Sequence, residues 1–92
     1  VDNTIIDYDL MQNYPNPFNS ITVIEYSIKE EGGVELVIYD VLGKVVEKLV
    51  DERKSVGNYS LQFGASNLSS GIYFYSLRVN DFVATKKMLL IK

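Results

Sequence analysis

Between Asn58 and Phe63 the chain alternates: Tyr59, Leu61 and Phe63 are apolar, while Asn58, Ser60 and Gln62 are polar. Successive side chains of an extended backbone point to opposite faces, so a period of two dictates a strand with one face on a core and the other in water. Val34, Leu36 and Ile38 repeat the pattern. Ile21 to Ile28, Lys44 to Val50, Gly71 to Val79 and Phe82 to Ile91 are rich in β-branched and aromatic residues, which suit a pleated surface. These runs predict six strands and no helix, and a seventh strand is expected from Ile5 to Met11.

Turn chemistry falls between the runs, at Glu31-Gly32-Gly33, Asp40-Val41-Leu42-Gly43, Val56-Gly57-Asn58 and Asn80-Asp81. Asp40 and Gly43 suit the first and fourth positions of a type I turn. Asn80-Asp81 tolerates positive φ and predicts a two-residue hairpin loop, with the last two strands paired directly. Short strands at this spacing indicate an all-β fold, an immunoglobulin-like or fibronectin-like antiparallel β-sandwich of about six to seven strands, its sheets packed about 10 Å apart. Neither an internal repeat nor low complexity is evident. Residues 1–9, with Asp2, Asp7 and Asp9, read as a linker end or edge strand, and residues 10–92 as the domain. The chain opens at Val1 without an initiator methionine or signal-peptide pattern, which is expected of a piece of a longer protein.

Composition narrows the chemistry. A chain of 92 residues removes only about 60 to 65 % of its unfolded surface from water on folding. Without cysteine, the fold must rest on apolar packing alone. With no histidine, neither a serine or cysteine triad nor an imidazole metal site can be assembled. The net charge of −3 leaves no basic face for nucleic acid. No apolar run reaches the roughly 18 residues of a membrane-spanning helix. Among carboxylates, Glu30-Glu31 and Asp51-Glu52 read as turn residues, and Glu25, Glu35 and Glu47 as solvated strand positions. The aspartates Asp2, Asp7 and Asp9 lack the spacing and glycine of a calcium loop. No enzyme, metal or cofactor is expected.

Three segments carry the functional reading. Tyr14-Pro15-Asn16-Pro17-Phe18 is stiff and non-helical because two prolines fix φ and restrict the residues before them. In Leu68-Ser69-Ser70-Gly71-Ile72-Tyr73, Gly71 permits close approach or positive φ, and Tyr73 is expected to pack inward. Lys87-Met88-Leu89-Leu90-Ile91-Lys92 is an apolar block between lysines, suited to a strand with its side chains buried. It is also suited to recognition by strand addition or through its basic and apolar surface.

In this order and at these separations, the segments make the chain resemble the type A C-terminal sorting domain of the type IX secretion system of Bacteroidetes and related bacteria, over about Leu10 to Lys92. The match includes the small-Gly-aliphatic-Tyr pattern at Ser70 to Tyr73. The family typically continues its proline motif as Asn-Pro and a Thr, where this chain has Asn19-Ser20-Ile21-Thr22. It often places an Asp where Gly64 stands.

The resemblance implies a domain that folds in the periplasm, is recognised by the outer-membrane translocon, and carries a covalently linked upstream parent to the cell surface or medium. It further implies a sortase-like peptidase that acts near the N-terminal side. Gly71, Tyr73, Lys87, Met88, Leu89, Leu90, Ile91 and Lys92 are the expected recognition residues, with Tyr14, Pro15, Asn16, Pro17 and Phe18 second. The rival readings are a carbohydrate-binding or structural immunoglobulin-like accessory module of a secreted enzyme, and a spacer akin to flagellar hook-capping domains. Seven tyrosines favour sugar stacking and the lack of tryptophan opposes it.

Overall fold

Alternation in the sequence becomes two antiparallel sheets in the computed structural model, which describes residues 7–92. The strands are β1 (Asp9–Leu10), β2 (Ile21–Ile28), β3 (Gly32–Tyr39), β4 (Val45–Lys54), β5 (Gly57–Gly64), β6 (Gly71–Val79) and β7 (Phe82–Leu90). One sheet has the order β1-β2-β5 and the other β4-β3-β6-β7, and no helix occurs among the described residues. This is an all-β sandwich with seven strands among the described residues.

The inward face of each strand is its apolar half. Ile24, Tyr26 and Ile28 of β2 and Phe63 of β5 meet Val34, Leu36 and Ile38 of β3, Tyr73, Tyr75, Leu77 and Val79 of β6, and Met88 and Leu90 of β7. Leu10, Phe18 and Ala65 join the same core, and no buried side-chain nitrogen or oxygen among the described residues lacks a hydrogen-bond partner. Burying each large apolar side chain contributes about 1.5–3 kcal/mol, so this shared layer can hold the fold without cross-links.

Asn80 and Asp81 form the expected two-residue loop, with Val79 opposite Phe82 and Asn80 at φ 54°. In the Asp40 turn, Gly43 N donates to Asp40 O at 3.0 Å, and Asp40 Oδ1 accepts from Leu42 N and Lys44 N at 2.9 Å each.

Four boundaries differ from the sequence reading. Gly32 and Gly33 lie inside β3, opposite Lys54 and Arg53, rather than in a turn. Gly32 is there because the Asn80 carboxamide crosses it: an added Cβ would stand 2.8 Å from Asn80 Cγ. Asp51 and Glu52 are not turn residues either, since β4 runs on to Lys54. An edge strand has water on one side and tolerates charges that a central strand would not, and charges there also discourage unwanted pairing. Gly57 and Asn58 likewise open β5 rather than forming a turn. Only Asp9 and Leu10 of the expected Ile5–Met11 strand pair with β2, while Ile5 and Ile6 fall outside the described residues.

Candidate functional site

The three motif segments, far apart in sequence, meet at one end of the sandwich. Phe18 bridges Leu90 in parallel, with Phe18 N donating to Leu89 O at 2.9 Å and Ile91 N donating to Phe18 O at 2.8 Å. Gly71 pairs with Leu90, Ile72 with Leu89 and Tyr73 with Met88. Lys92 N donates to Ser70 Oγ at 2.9 Å, and Lys92 Nζ to Ser66 O at 2.6 Å. The expected recognition segments therefore come together at this end of the sandwich, although Phe18, Tyr73, Met88 and Leu90 turn their side chains into the core and Tyr14 lies against Val23 of the other sheet.

The proline segment is bolted down by a buried polar cluster. Tyr75 Oη accepts from Asn13 N and donates to Met11 O, each at 2.7 Å. Asn13 Nδ2 donates to Thr22 Oγ1 at 2.9 Å and to Pro15 O at 3.2 Å, and Thr22 Oγ1 donates to Pro15 O at 2.9 Å. Burial pushes the Tyr75 phenol up to about 12, against a smaller opposing pull from the Asn13 amide. At the surface, Tyr14 donates to Glu25 Oε2 at 3.2 Å, and the carboxylate's charge raises the tyrosine's pKa. Both X-Pro bonds, Tyr14-Pro15 and Asn16-Pro17, are cis.

This strap also caps the outer edge of β7. Gln12 Nε2 donates to Lys87 O at 2.8 Å and Asn16 Oδ1 accepts from Leu89 N at 2.9 Å, alongside the two Phe18 bonds. Lys87 O, Leu89 N, Leu89 O and Ile91 N, which a partner strand would need, are already bonded, and this opposes strand addition around Leu89 in the folded domain. The basic and apolar surface remains available.

Burial in the terminal block is split. Met88 and Leu90 are fully buried, but Leu89 is 37 % and Ile91 51 % exposed, and Ile72 opposite Leu89 is 40 % exposed. The expectation of a wholly buried apolar segment holds for only half of it, because a strand sends alternate side chains to opposite faces. Packing does not explain two aliphatic residues directed to water.

Tyr73 packs inward as expected, and its Oη donates to Ser69 O at 2.8 Å. Of the two roles open to Gly71, the structure selects positive φ: it sits at 152°, and an added Cβ would meet nothing within 4 Å. Sequence reasoning missed a second copy of this device. Tyr59 Oη donates to Ser55 O at 2.6 Å, and Gly57 has φ 159°. Ser55-Val56-Gly57-Asn58-Tyr59 and Ser69-Ser70-Gly71-Ile72-Tyr73 share the pattern Ser-x-Gly-x-Tyr. In each the glycine turns the chain into a strand, and the tyrosine two residues on ties back to the serine carbonyl. The five-residue repeat is the signal that could have revealed it.

The two larger cavities among the described residues bring no catalytic pair together. A cavity of about 380 Å³ beside Glu35, Asp51, Arg53 and Arg78, and one of about 390 Å³ beside Glu25, Tyr26 and Tyr59, gather no nucleophile with a base. Asp7 and Asp9 belong to no group of three or more metal-ligating side chains among the described residues, and Asp2 lies outside them. No helix among the described residues is long and apolar enough to cross a membrane.

The fold is an all-β sandwich whose distinctive segments converge at one end. A family model described as the secretion system C-terminal sorting domain matches residues 12–92. The chain belongs to that family, the type IX sorting domains, whose members mark an attached parent protein for export and interact with the secretion machinery. Such domains are generally not catalytic. No curated protein and no solved structure matches the chain.

Proposed function

We propose that this domain folds in the periplasm, is recognised by the type IX outer-membrane translocon through the end formed by Tyr14–Phe18, Gly71–Tyr73 and Lys87–Lys92, and carries its parent to the cell surface or medium. The observation that carries the reading is the convergence of the three family motifs at one end of the sandwich, where Leu89 and Ile91 stay in water and Leu89 stands opposite Ile72. A sortase-like peptidase then acts on the N-terminal side, upstream of a domain that begins near Leu10. The cap on the β7 edge favours recognition through side chains over strand addition. The carbohydrate-binding alternative is not favoured: three of the seven tyrosines, Tyr26, Tyr73 and Tyr75, are buried in the core and closed to sugar stacking.

The test is a fusion of residues 10–92 to an exported reporter in a type IX-competent host. Surface delivery is expected, and deletion of Lys87–Lys92 should hold the reporter in the periplasm. Because that deletion removes Met88 and Leu90 from the core, circular dichroism must accompany it. Normal delivery by a folded, truncated domain would refute the proposal.

A further inference from the structure

Asn16, Ile72, Lys87, Met88 and Leu89 line a small pocket of about 150 Å³ at the motif end. It takes one residue from the proline strap, one from the Ser-x-Gly-x-Tyr segment and three from the terminal block, so it exists only when all three are assembled. On the order of 150 Å³ is enough for a benzene-sized apolar group, and here Ile72 and Leu89 supply the apolar wall.

Its electrostatic setting is one-sided. No charged residue occurs from Leu10 to Ile24, from Ser55 to Leu77 or from Met88 to Ile91. Across the outer face of the sheet, Val45, Tyr39, Phe74 and Lys87 stand in one row, with Ile72 and Leu89 beside it. Lys87 is the one charge in that group, and it makes no ion pair among the described residues. The acids of the same face, Glu35 and Asp51, lie toward the other end, each 3.6 Å from Lys48. Asn16 is fixed by its Oδ1 bond to Leu89 N, while its Nδ2 donates to no other group among the described residues. A protein of net charge −3 thus presents an apolar pocket with two hydrogen-bond donors and no acid beside it.

We infer that this pocket is the point of contact with the export machinery, and that its occupant is an acidic polypeptide segment that packs one aliphatic side chain over Ile72 and Leu89 while its carboxylate meets Lys87. The inference rests on the sorting reading and names the partner chemistry of that same surface. A carboxylate beside an aliphatic group matches both halves of the site: the apolar packing provides burial, and the charge provides orientation. One lysine beside a pocket sized for a single side chain fits a polypeptide better than an anionic bilayer, whose recognition calls for a cluster of basic residues.

The test uses the reporter fusion with single substitutions and a photoreactive side chain at position 72. Ile72→Glu, Leu89→Glu and Lys87→Glu should each lower the surface-delivered fraction about tenfold or more, as for a central contact residue. Lys87→Arg should stay within about twofold of the unaltered fusion, because it keeps the charge. Val83→Glu should do the same: Val83 is on the outer face of β7 but away from the pocket, and is 56 % exposed. Melting temperatures should be unchanged, since none of these side chains is in the core. The cross-linked adduct should map to an acidic protein segment.

Normal delivery of Ile72→Glu and Leu89→Glu, equal loss with Val83→Glu, or an adduct on lipid or on a basic segment would overturn the pocket while leaving sorting intact. Retention of the unaltered fusion would overturn the sorting reading, and this inference with it.

Discussion

Replacing Tyr75 by Phe keeps the ring in the core and removes one oxygen. That oxygen makes the hydrogen bonds that join β6 to the start of the proline strap among the described residues, to Asn13 N and Met11 O at 2.7 Å each. Tyr75 is fully buried and Asn13 nearly so, which denies water easy access to the orphaned groups. An unsatisfied buried donor or acceptor costs roughly 1–3 kcal/mol. With two such groups, less the relief of no longer burying a hydroxyl, the expected loss is about 2–4 kcal/mol. For a domain of this size each kcal/mol moves the melting temperature by about 4–8 °C, so a fall of roughly 8–32 °C should appear in thermal denaturation followed by circular dichroism. Hydrogen exchange at the Asn13 amide should accelerate by more than exchange in the centre of β3. A loss below about 0.5 kcal/mol, the level of a neutral surface change, with Asn13 still protected, would refute the view that this hydroxyl fastens the strap.

The same phenol gives a pH signature. Its folded pKa is about 12 against 10.0 for an ordinary tyrosine. As pH rises the unfolded chain loses this proton first, so the contribution is whole below about pH 10 and is lost as pH climbs through the folded value. The amount is on the order of 2–3 kcal/mol. Alkaline denaturation should show this component in the parent domain and not in Tyr75→Phe. Asn16→Ala should unprotect the Leu89 amide by roughly threefold to tenfold in hydrogen exchange, because it removes the acceptor capping the β7 edge; unchanged protection would mean the cap is held by the backbone alone. Tyr59→Phe and Tyr73→Phe should each cost about 1 kcal/mol in urea denaturation, and Gly71→Ala about 1–3 kcal/mol from its backbone angle. An unaffected Tyr59→Phe would break the equivalence of the two Ser-x-Gly-x-Tyr segments.

Strand placement was legible because it is local. Whether a residue between Val34 and Ile38 faces in or out follows from its neighbours two positions away, and the Asp40 and Asn80 turns follow from side chains that bond or bend their own backbone. Charge misled the reading at Asp51 and Glu52, because an edge strand and a turn are both wet. Gly32 misled it because its purpose lies in the side chain of Asn80, a residue distant in sequence.

The sequence by itself determined an all-strand domain, the Asp40 and Asn80 turns, the lack of imidazole or thiol chemistry, and the motif segments of a sorting domain. Tertiary structure alone decided that Asn13 would find Tyr75, that Asn16 and Phe18 would cap the last strand, and that Leu89 would stand in water opposite Ile72. The physical reason is range: a strand's period is set by the geometry of successive peptide units, whereas partners across a sandwich are chosen by sheet order and register. Those depend on every strand at once.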